Sequence, residues 1–350
     1  MTPTARTTLT ALIIGAGGGW AANLLQFPLA WMIGAMGATT LAAALGAPVA
    51  MPKIFRTVMV AVLGLMLGSG FSPEILGRAS EWMLSLAMLA AYAAAAGGAG
   101  WVYFRRVWGY DRVTAYFSAM PGGLTEMVLV GTEMGGDSRI ISLTQSSRLL
   151  LVVFALPFAF QAFVGYDPAL RPAAGLPLSD VSASDLAILA LCGIAGFLGA
   201  RAIKLPAAAL VGPMVLSAAV HMAGWTAAKP PNELIAAAQV VVGIAIGCRF
   251  AGVTLRLIGR TLLAAAGGTV VLLTATILFA LGLSGALDLP GEALILAFSP
   301  GGLAEMSLIA IAIGADAAFV ATHHIVRIFL IVVFAPAAFR LLTRRRAPGE

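Results

Sequence analysis

Residues 121–127 read Pro-Gly-Gly-Leu-Thr-Glu-Met, and residues 300–306 read Pro-Gly-Gly-Leu-Ala-Glu-Met. The two stretches are identical at six of seven positions and lie 179 residues apart. Each places a proline, two glycines and a carboxylate inside otherwise apolar sequence, where a membrane helix would otherwise continue. Helix breaks at matching positions of two halves are typical of the binding sites of transporters with internal repeats.

The composition excludes a water-soluble globular protein. Of the 350 residues, 60% are hydrophobic and 10% are charged, whereas soluble domains carry roughly 25% charge. The apolar runs are long and rich in Ala, Leu and Gly, which predicts helices rather than the alternating strands of a membrane barrel. We therefore expect an all-α polytopic protein of the bacterial inner membrane, in contact with the lipid bilayer.

Neither the charge nor the cysteines point to nucleic acid, metal or redox chemistry. The net charge of +6 comes from Lys and Arg clustered at the ends of apolar segments, where they orient a membrane protein. The two cysteines form no CxxC motif, and the three histidines are too few for a convincing metal centre. We expect no nucleic-acid partner, no bound metal and no cofactor.

The chain divides into two homologous halves around a polar linker. The first membrane repeat is predicted over residues 8–163, the linker over 164–184 and the second repeat over 185–342. The offset of 179 residues also maps Arg148 onto Arg327. Each half is expected to hold about five transmembrane helices and one helical hairpin, broken or re-entrant, at its Pro-Gly-Gly stretch.

The distribution of Lys and Arg favours an inverted second repeat. With Arg148 and Arg327 set aside as intramembrane, 19 of the 21 basic residues remain. If the N-terminus is cytoplasmic, re-entrant hairpins leave sixteen inside and only Arg78, Arg171 and Lys229 outside, whereas membrane-crossing hairpins leave twelve inside and seven outside. The positive-inside rule therefore predicts re-entrant hairpins and inverted repeats.

Segment lengths place both helix breaks near the middle of the bilayer. Pro121 lies nine residues after Arg112, about 13 Å of helix and close to half of a ~30 Å hydrocarbon core. Arg148 lies nine residues after Arg139, so it reaches a similar depth. The two hairpin tips and the two intramembrane arginines are thus predicted to meet at the midplane.

The charged residues of the motif allow two interpretations that do not exclude each other. Glu126 and Glu305 can couple transport to a cation or proton, since intramembrane carboxylates commonly mark ion pathways. They can also form structural salt bridges to Arg148 and Arg327. The arginines can instead bind an anionic substrate, most naturally a carboxylate held by two parallel hydrogen bonds.

Backbone and polar side chains complete the candidate site. The Gly-Gly steps can present free N–H and C=O groups to a ligand, with a plain turn as the alternative. Adjacent histidines point about 100° apart on a helix, so at most one of His323 and His324 faces the site. The predicted substrate or ion site comprises Pro121, Gly122, Gly123, Glu126, Gln145, Arg148, Pro300, Gly301, Gly302, Glu305, His324 and Arg327.

The duplicated Pro-Gly-Gly-Leu-x-Glu-Met, followed in each half by Gly-x-Asp and an arginine-bearing helix, resembles the AbrB membrane protein family. The resemblance covers about residues 10–342 and implies two copies of a membrane repeat. Members are often labelled transcriptional regulator or ammonia monooxygenase. The resemblance brings no established catalytic or binding residues, and the family is distinct from the small DNA-binding proteins of the same name.

We therefore predict a secondary transporter that moves a small solute by alternating access through a midplane site, with an organic anion as one candidate and H⁺ or Na⁺ as coupling ion. A membrane-embedded sensor that affects gene expression indirectly is the alternative. A membrane monooxygenase ranks third, and because the residues do not support that label we expect no enzymatic activity. A homo-oligomer is compatible with the sequence, which does not identify the solute.

Overall fold

A computed structural model describes residues 4–77, 79–166, 175–287 and 289–344 of the protein. Within these ranges every regular element is helical. The α-helices are α1 (Ala5–Leu24), α2 (Ala30–Ala44), α3 (Lys53–Gly68), α4 (Pro73–Gly77), α5 (Met83–Arg106), α6 (Arg112–Ala119), α7 (Leu124–Glu133), α8 (Ser138–Phe163), α9 (Ala183–Ala202), α10 (Ala208–Met222), α11 (Asn232–Gly247), α12 (Leu255–Leu287), α13 (Gly291–Phe298), α14 (Leu303–Ala312) and α15 (Ala317–Arg344). Arg78, and residues 167–174 of the predicted linker with Arg171, lie outside the described residues.

Six of the described helices are long and apolar enough to cross a membrane. They span Ser80–Arg106, Ser138–Phe163, Ala183–Ala202, Asn232–Phe250, Leu255–Leu287 and Ala317–Leu342. Three further helices, α2, α10 and α14, are apolar but shorter. The prediction of an all-helical, multi-pass membrane protein is confirmed for the described residues, whereas the two repeats and their inversion stay predictions.

The helices group into two compact units, each assembled from three stretches of chain. Unit 1 contains Met1–Ser80, Val153–Ile258 and Leu303–Ala321. Unit 2 contains Glu81–Val152, Gly259–Gly302 and Thr322–Glu350. Each unit thus draws on residues before and after the predicted linker.

Unit 1 is built from two helical hairpins, α1–α2 and α9–α10, with α3 packed on α10 and α11 packed on α2. Glycines allow the hairpin arms to touch. A Cβ at Gly34 would collide with the backbone of Gly18, and a Cβ at Gly212 would collide with the backbone of Gly196. Close backbone approach through small residues is how membrane helices gain packing energy without a hydrophobic effect between them.

The turns of both hairpins contain non-glycine residues in the left-handed region. Leu29 (φ 47°) precedes α2 and Ala207 (φ 51°) precedes α10, while Gln26 (φ 54°) and Lys204 (φ 55°) lie three residues earlier. Such a conformation costs about 1–2 kcal/mol for an L-residue with a Cβ. The surrounding packing therefore holds each turn against its own backbone preference.

Unit 2 contains α5, α6, α7 and α13, together with the first part of α8 and most of α12 and α15. An aromatic cluster that includes Tyr116, Phe117 and Phe339 packs α6 against α15. Tyr116 also donates its hydroxyl hydrogen to Ala335 O at 3.0 Å. This packing fixes α6, the arm that leads into the first Pro-Gly-Gly stretch.

Candidate functional site

Each Pro-Gly-Gly stretch separates two short helices. The first arm, α6, begins after Asp111, whose Oδ1 accepts hydrogen bonds from the N–H of Val113 at 3.0 Å and of Thr114 at 2.9 Å. It ends at Ala119 because Pro121 has no N–H and cannot continue the helical ladder. In the second half, α13 and α14 flank the break in the same order. Both first arms therefore end in C=O groups that no helical N–H satisfies.

Gln145 and Arg148 of α8 supply the missing donors at the first tip. Gln145 Nε2 donates to Phe117 O at 2.7 Å, the carbonyl whose helical partner would be the N–H that Pro121 lacks. The same nitrogen donates to Met120 O at 3.1 Å, and Arg148 Nη1 donates to that oxygen at 3.0 Å. Because a cation is also favourable at the C-terminal end of a helix dipole, this pair caps α6.

His324 and Arg327 of α15 cap the second tip in the same way. His324 Nε2 lies 2.9 Å from Leu296 O, the carbonyl that has no i+4 N–H partner because residue 300 is a proline. Leu296 O also accepts from Ser299 Oγ at 3.0 Å. Arg327 Nη1 donates to Ser299 O, and its Nη2 donates to Gly301 O at 2.9 Å. The bonds to Leu296 O and Ser299 O recur at the first tip, 179 residues earlier in the chain.

The partners of His324 fix the position of its ring proton. Nδ1 lies 3.0 Å from Arg327 Nη2, and because a guanidinium can only donate, Nδ1 accepts. The proton is therefore on Nε2, which donates to the Leu296 carbonyl. A neutral His324 thus links Arg327 to α13. The adjacent His323 points elsewhere, with Nε2 2.8 Å from Ser85 Oγ.

The tip itself leaves little room for side chains. Pro121, Gly122, Pro300 and Gly301 are buried, and Gly302 is half-buried. A Cβ on Gly122 would lie only 2.8 Å from the Cγ2 methyl of Ile331 in α15 and 3.0 Å from the sulfur of Met127 in α7. The glycine is therefore required by close packing, and the tip presents backbone rather than side chains.

Glu126 stands in the first turn of α7 and does not pair with the arginine of its own half. Its carboxylate lies over Gly123, so close that a Cβ added at Gly123 would collide with it. A carboxylate in the first turn stabilises a helix through the dipole and the free N–H groups. In the described part of the chain no salt bridge joins Glu126 to Arg148. The Arg148 guanidinium instead donates a hydrogen bond to Met120 O at the end of α6.

Glu305 lies in unit 1, whereas the other eleven predicted site residues lie in unit 2. Its side chain is 8% exposed. Within unit 1, α14 packs against α3, and Arg56 at the start of α3 acts electrostatically on Glu305. Arg56 also repels Arg249. From the sequence, Arg56 counted only as an orientation charge, so its relation to Glu305 was missed.

Tyr92 of α5 is a second residue that the sequence did not single out. It is fully buried, its hydroxyl lies 3.1 Å from Thr276 Oγ1, and it interacts electrostatically with both Arg148 and Arg327. Unit 2 therefore brings the two arginines close to one tyrosine. The available signal was weak, because Tyr92 is a lone aromatic residue in an Ala-rich run that no motif marks.

Several buried polar atoms on α6 and α8 have no hydrogen-bond partner among the described residues. They are Ser118 Oγ, Gln145 Oε1, Ser146 Oγ, Ser147 Oγ and Arg148 Nε. Buried polar groups are rarely left unpaired in native proteins, and a bound water, ion or ligand is the usual explanation. The dense polar run of residues 142–148 signalled this cluster in the sequence, whereas Ser118 gave no signal.

The tips and their caps fall within the part of the chain that a family model matches. Residues 31–343 match the model described as "Transition state regulatory protein AbrB". The chain belongs to the AbrB family. It is 29% identical over 372 residues to "Uncharacterized protein YhjN" of Bacillus subtilis (strain 168), covering 95% of this chain and 92% of the relative. It is 26% identical over 323 residues to "Putative regulator AbrB" of Escherichia coli (strain K12), covering 91% of each.

The AbrB family membership confirms the resemblance predicted from the duplicated motif. Of the two relatives, the Escherichia coli protein is named as a regulator, and neither name gives a substrate. Among the residues described for this AbrB-family protein, no three His, Cys, Asp or Glu side chains are grouped so as to hold a metal ion. What the tips bind must therefore be argued from their geometry.

Proposed function

We propose that this AbrB-family protein is a secondary transporter of the bacterial inner membrane that moves a small solute by alternating access. The observation that carries the proposal is the pair of broken-helix tips in unit 2. Buried arginines cap both tips, and polar atoms without partners surround the first. Secondary transporters bind their solutes at such broken helices near the middle of the bilayer.

Two homologous repeats, residues 8–163 and 185–342, are part of this proposal. Equal helix lengths support them, since α1 and α9 have 20 residues, α6 and α13 have 8, and α7 and α14 have 10. The hydrogen bonds that cap the tips support them too. Inversion of the second repeat, with re-entrant hairpins, is supported by the distribution of Lys and Arg alone.

The predicted site residues take different roles in the proposed mechanism. Gln145 and His324 hold the helix ends, and the arginines give the site its positive charge. Glu126 and Glu305 are the candidate sites for a coupling H⁺ or Na⁺, because intramembrane carboxylates commonly serve such pathways. Movement of one group of helices against another would expose the bound solute to each side in turn.

The test is solute flux into proteoliposomes that contain the purified full-length protein. Small organic acids are offered with and without an H⁺ or Na⁺ gradient, and Arg139→Gln, which changes an exposed arginine of α8, serves as the control. We expect gradient-driven flux that is normal in the control and lost in a Glu126→Gln, Glu305→Gln protein. Absence of flux with every acid refutes the transporter, whereas normal flux in the double variant removes the glutamates from the mechanism.

A membrane-embedded sensor is the second candidate, favoured by the name "Putative regulator AbrB" of the Escherichia coli relative. The same tips would then bind a solute without moving it, and a partner protein would carry the signal to gene expression. Binding without flux in the same proteoliposomes would favour the sensor. We propose no enzymatic reaction, cofactor, metal or nucleic-acid contact, and a homo-oligomer stays a prediction.

A further inference from the structure

The two equivalent arginines of unit 2 differ in how fully they are paired. Arg327 has four acceptors around its terminal nitrogens, namely Phe298 O, Ser299 O, Gly301 O and His324 Nδ1. Arg148 makes one hydrogen bond, from Nη1 to Met120 O. A guanidinium carries five N–H groups, so four of those on Arg148 have no partner among the described residues. The two sites have therefore diverged.

The charge of Arg148 is also uncompensated. The side chain is 3% exposed, no carboxylate in the described part of the chain forms an ion pair with it, and the charged group that acts most strongly on it is Arg327, which repels it. A buried cation without a counter-charge is costly, and most of all in a membrane. The surroundings of Arg148 thus lack one negative charge.

The atoms near Arg148 also lack partners. On α8, Thr144 and Gln145 precede Arg148 by four and three residues, so all three lie on one face of the helix. Gln145 Oε1 and Arg148 Nε are buried and have no partner among the described residues, and neither has Ser118 Oγ on α6, whose backbone oxygen lies 3.4 Å from Gln145 Nε2. The Thr144 hydroxyl interacts with that of Tyr110. Arg148 Nε and the Ser118 hydroxyl are donors, so the missing group must accept from them, whereas Gln145 Oε1 is itself an acceptor and is not satisfied by that group.

We propose that Arg148 binds the carboxylate of a small monocarboxylate anion, with the Ser118 hydroxyl as a further donor, and that Arg327 is a structural cap. This inference rests on the proposed function and assigns the substrate class of its site. A carboxylate matches a guanidinium fork with two parallel hydrogen bonds. One arginine with free N–H groups fits an anion of single charge, because the terminal nitrogens of the neighbouring cation, Arg327, already have four acceptors.

The test is ligand-dependent thermal stability of the purified full-length protein in detergent, followed by tryptophan fluorescence. Sodium acetate is the probe, and sodium chloride of equal concentration is the reference. We compare the wild type with Arg148→Gln, Arg148→Lys and Arg327→Gln, and with Arg139→Gln as matched control on the same helix. Saturation-transfer NMR on the acetate methyl protons gives an independent measure of binding.

We expect acetate to raise the melting temperature of the wild type and of Arg139→Gln. Arg148→Gln should need about 10- to 100-fold more acetate, the loss that follows from hydrogen bonds to a charged group. Arg148→Lys should lie between the two, because an ammonium keeps the charge but not the fork. Arg327→Gln should melt lower without acetate and keep the acetate-dependent rise.

Three results would overturn the assignment. They are no effect of acetate on the wild type, an unchanged effect in Arg148→Gln, or an effect lost in Arg327→Gln but kept in Arg148→Gln. If Arg148→Gln does not fold, Arg148→Lys decides, and an acetate affinity equal to that of the wild type counts against the proposal.

Flux separates the failure of this inference from the failure of the proposed function. If acetate binds through Arg148 and none of the acids offered is transported, the site is supported and the transporter is refuted. If carboxylate flux persists in Arg148→Gln, the proposed transport function stands and the assignment of the carboxylate site to Arg148 is overturned.

Discussion

Replacing Gln145 by methionine tests whether side chains hold the broken helix in place. Methionine has a similar length and no donor, so Phe117 O loses its 2.7 Å partner, while Met120 O keeps Arg148 at 3.0 Å. Phe117 O is therefore orphaned, Ser118 O loses a longer contact of 3.4 Å, and Met120 O stays satisfied. An orphaned buried carbonyl costs about 1–3 kcal/mol, whereas hydrogen bonds lost in membrane proteins cost about 0.6 kcal/mol on average when the partners can pair again.

We expect Gln145→Met to lower the free energy of unfolding by about 1–3 kcal/mol. Gln145→His should lose much less, because the histidine at the equivalent position already donates to the matching carbonyl, Leu296 O, at 2.9 Å. His324→Met should lower the free energy of unfolding by less than Gln145→Met does. The carbonyl that loses its histidine partner, Leu296 O, still accepts from Ser299 Oγ at 3.0 Å.

Reversible unfolding in mixed micelles, titrated with a denaturing detergent and followed by circular dichroism, measures these differences. A loss of less than about 0.5 kcal/mol for Gln145→Met, below the cost of one orphaned carbonyl, would refute the capping role. An equal loss for Gln145→His would mean that the shape of glutamine matters rather than its donor.

Three further predictions concern backbone and topology. Ala207→Gly should stabilise the protein by about 1 kcal/mol, because it relieves a positive φ. Ala219→Gly, at an exposed position within α10, should destabilise it by a similar amount, and equal shifts of the melting temperature in the two variants would contradict this. Gly122→Ala should cost about 1–3 kcal/mol, since its Cβ would lie 2.8 Å from a side chain of α15, and an unchanged melting temperature would contradict the close packing. In a cysteine-free protein, single cysteines at Ala202 and Ala315 should be labelled from the cytoplasm and from outside respectively, and labelling of Ala202 from outside would mean parallel repeats.

The helix breaks and their paired arginines could be predicted because both can be recognised from the local sequence alone. A proline such as Pro121 lacks the backbone N–H in any fold. The offset that maps Arg148 onto Arg327 can be read from the sequence without a structure. Helical periodicity likewise indicates that His323 and His324 point in different directions. These features depend on chain chemistry and short-range geometry alone.

The partners of the charged residues could not be predicted. A salt bridge between Glu126 and Arg148 is as compatible with the sequence as the bond that Arg148 makes to Met120 O. The outcome depends on which helix end lies within reach, which is a long-range property. The same holds for Arg56 and Glu305, which lie far apart in the chain and within one compact unit.

The capped tips also bear on which ion can supply the energy for uphill transport. In transporters with broken helices, the unwound carbonyl oxygens are the usual ligands of sodium. Here the oxygens of Phe117, Met120, Ser299 and Gly301 already accept hydrogen bonds, three of them from guanidinium groups. A sodium ion bound by Met120 O, Ser299 O or Gly301 O would lie beside a buried guanidinium, whose positive charge would repel it. The carboxylates are the charged acceptors that remain for a driving cation, and a proton is the cation that a single carboxylate can bind without further ligands.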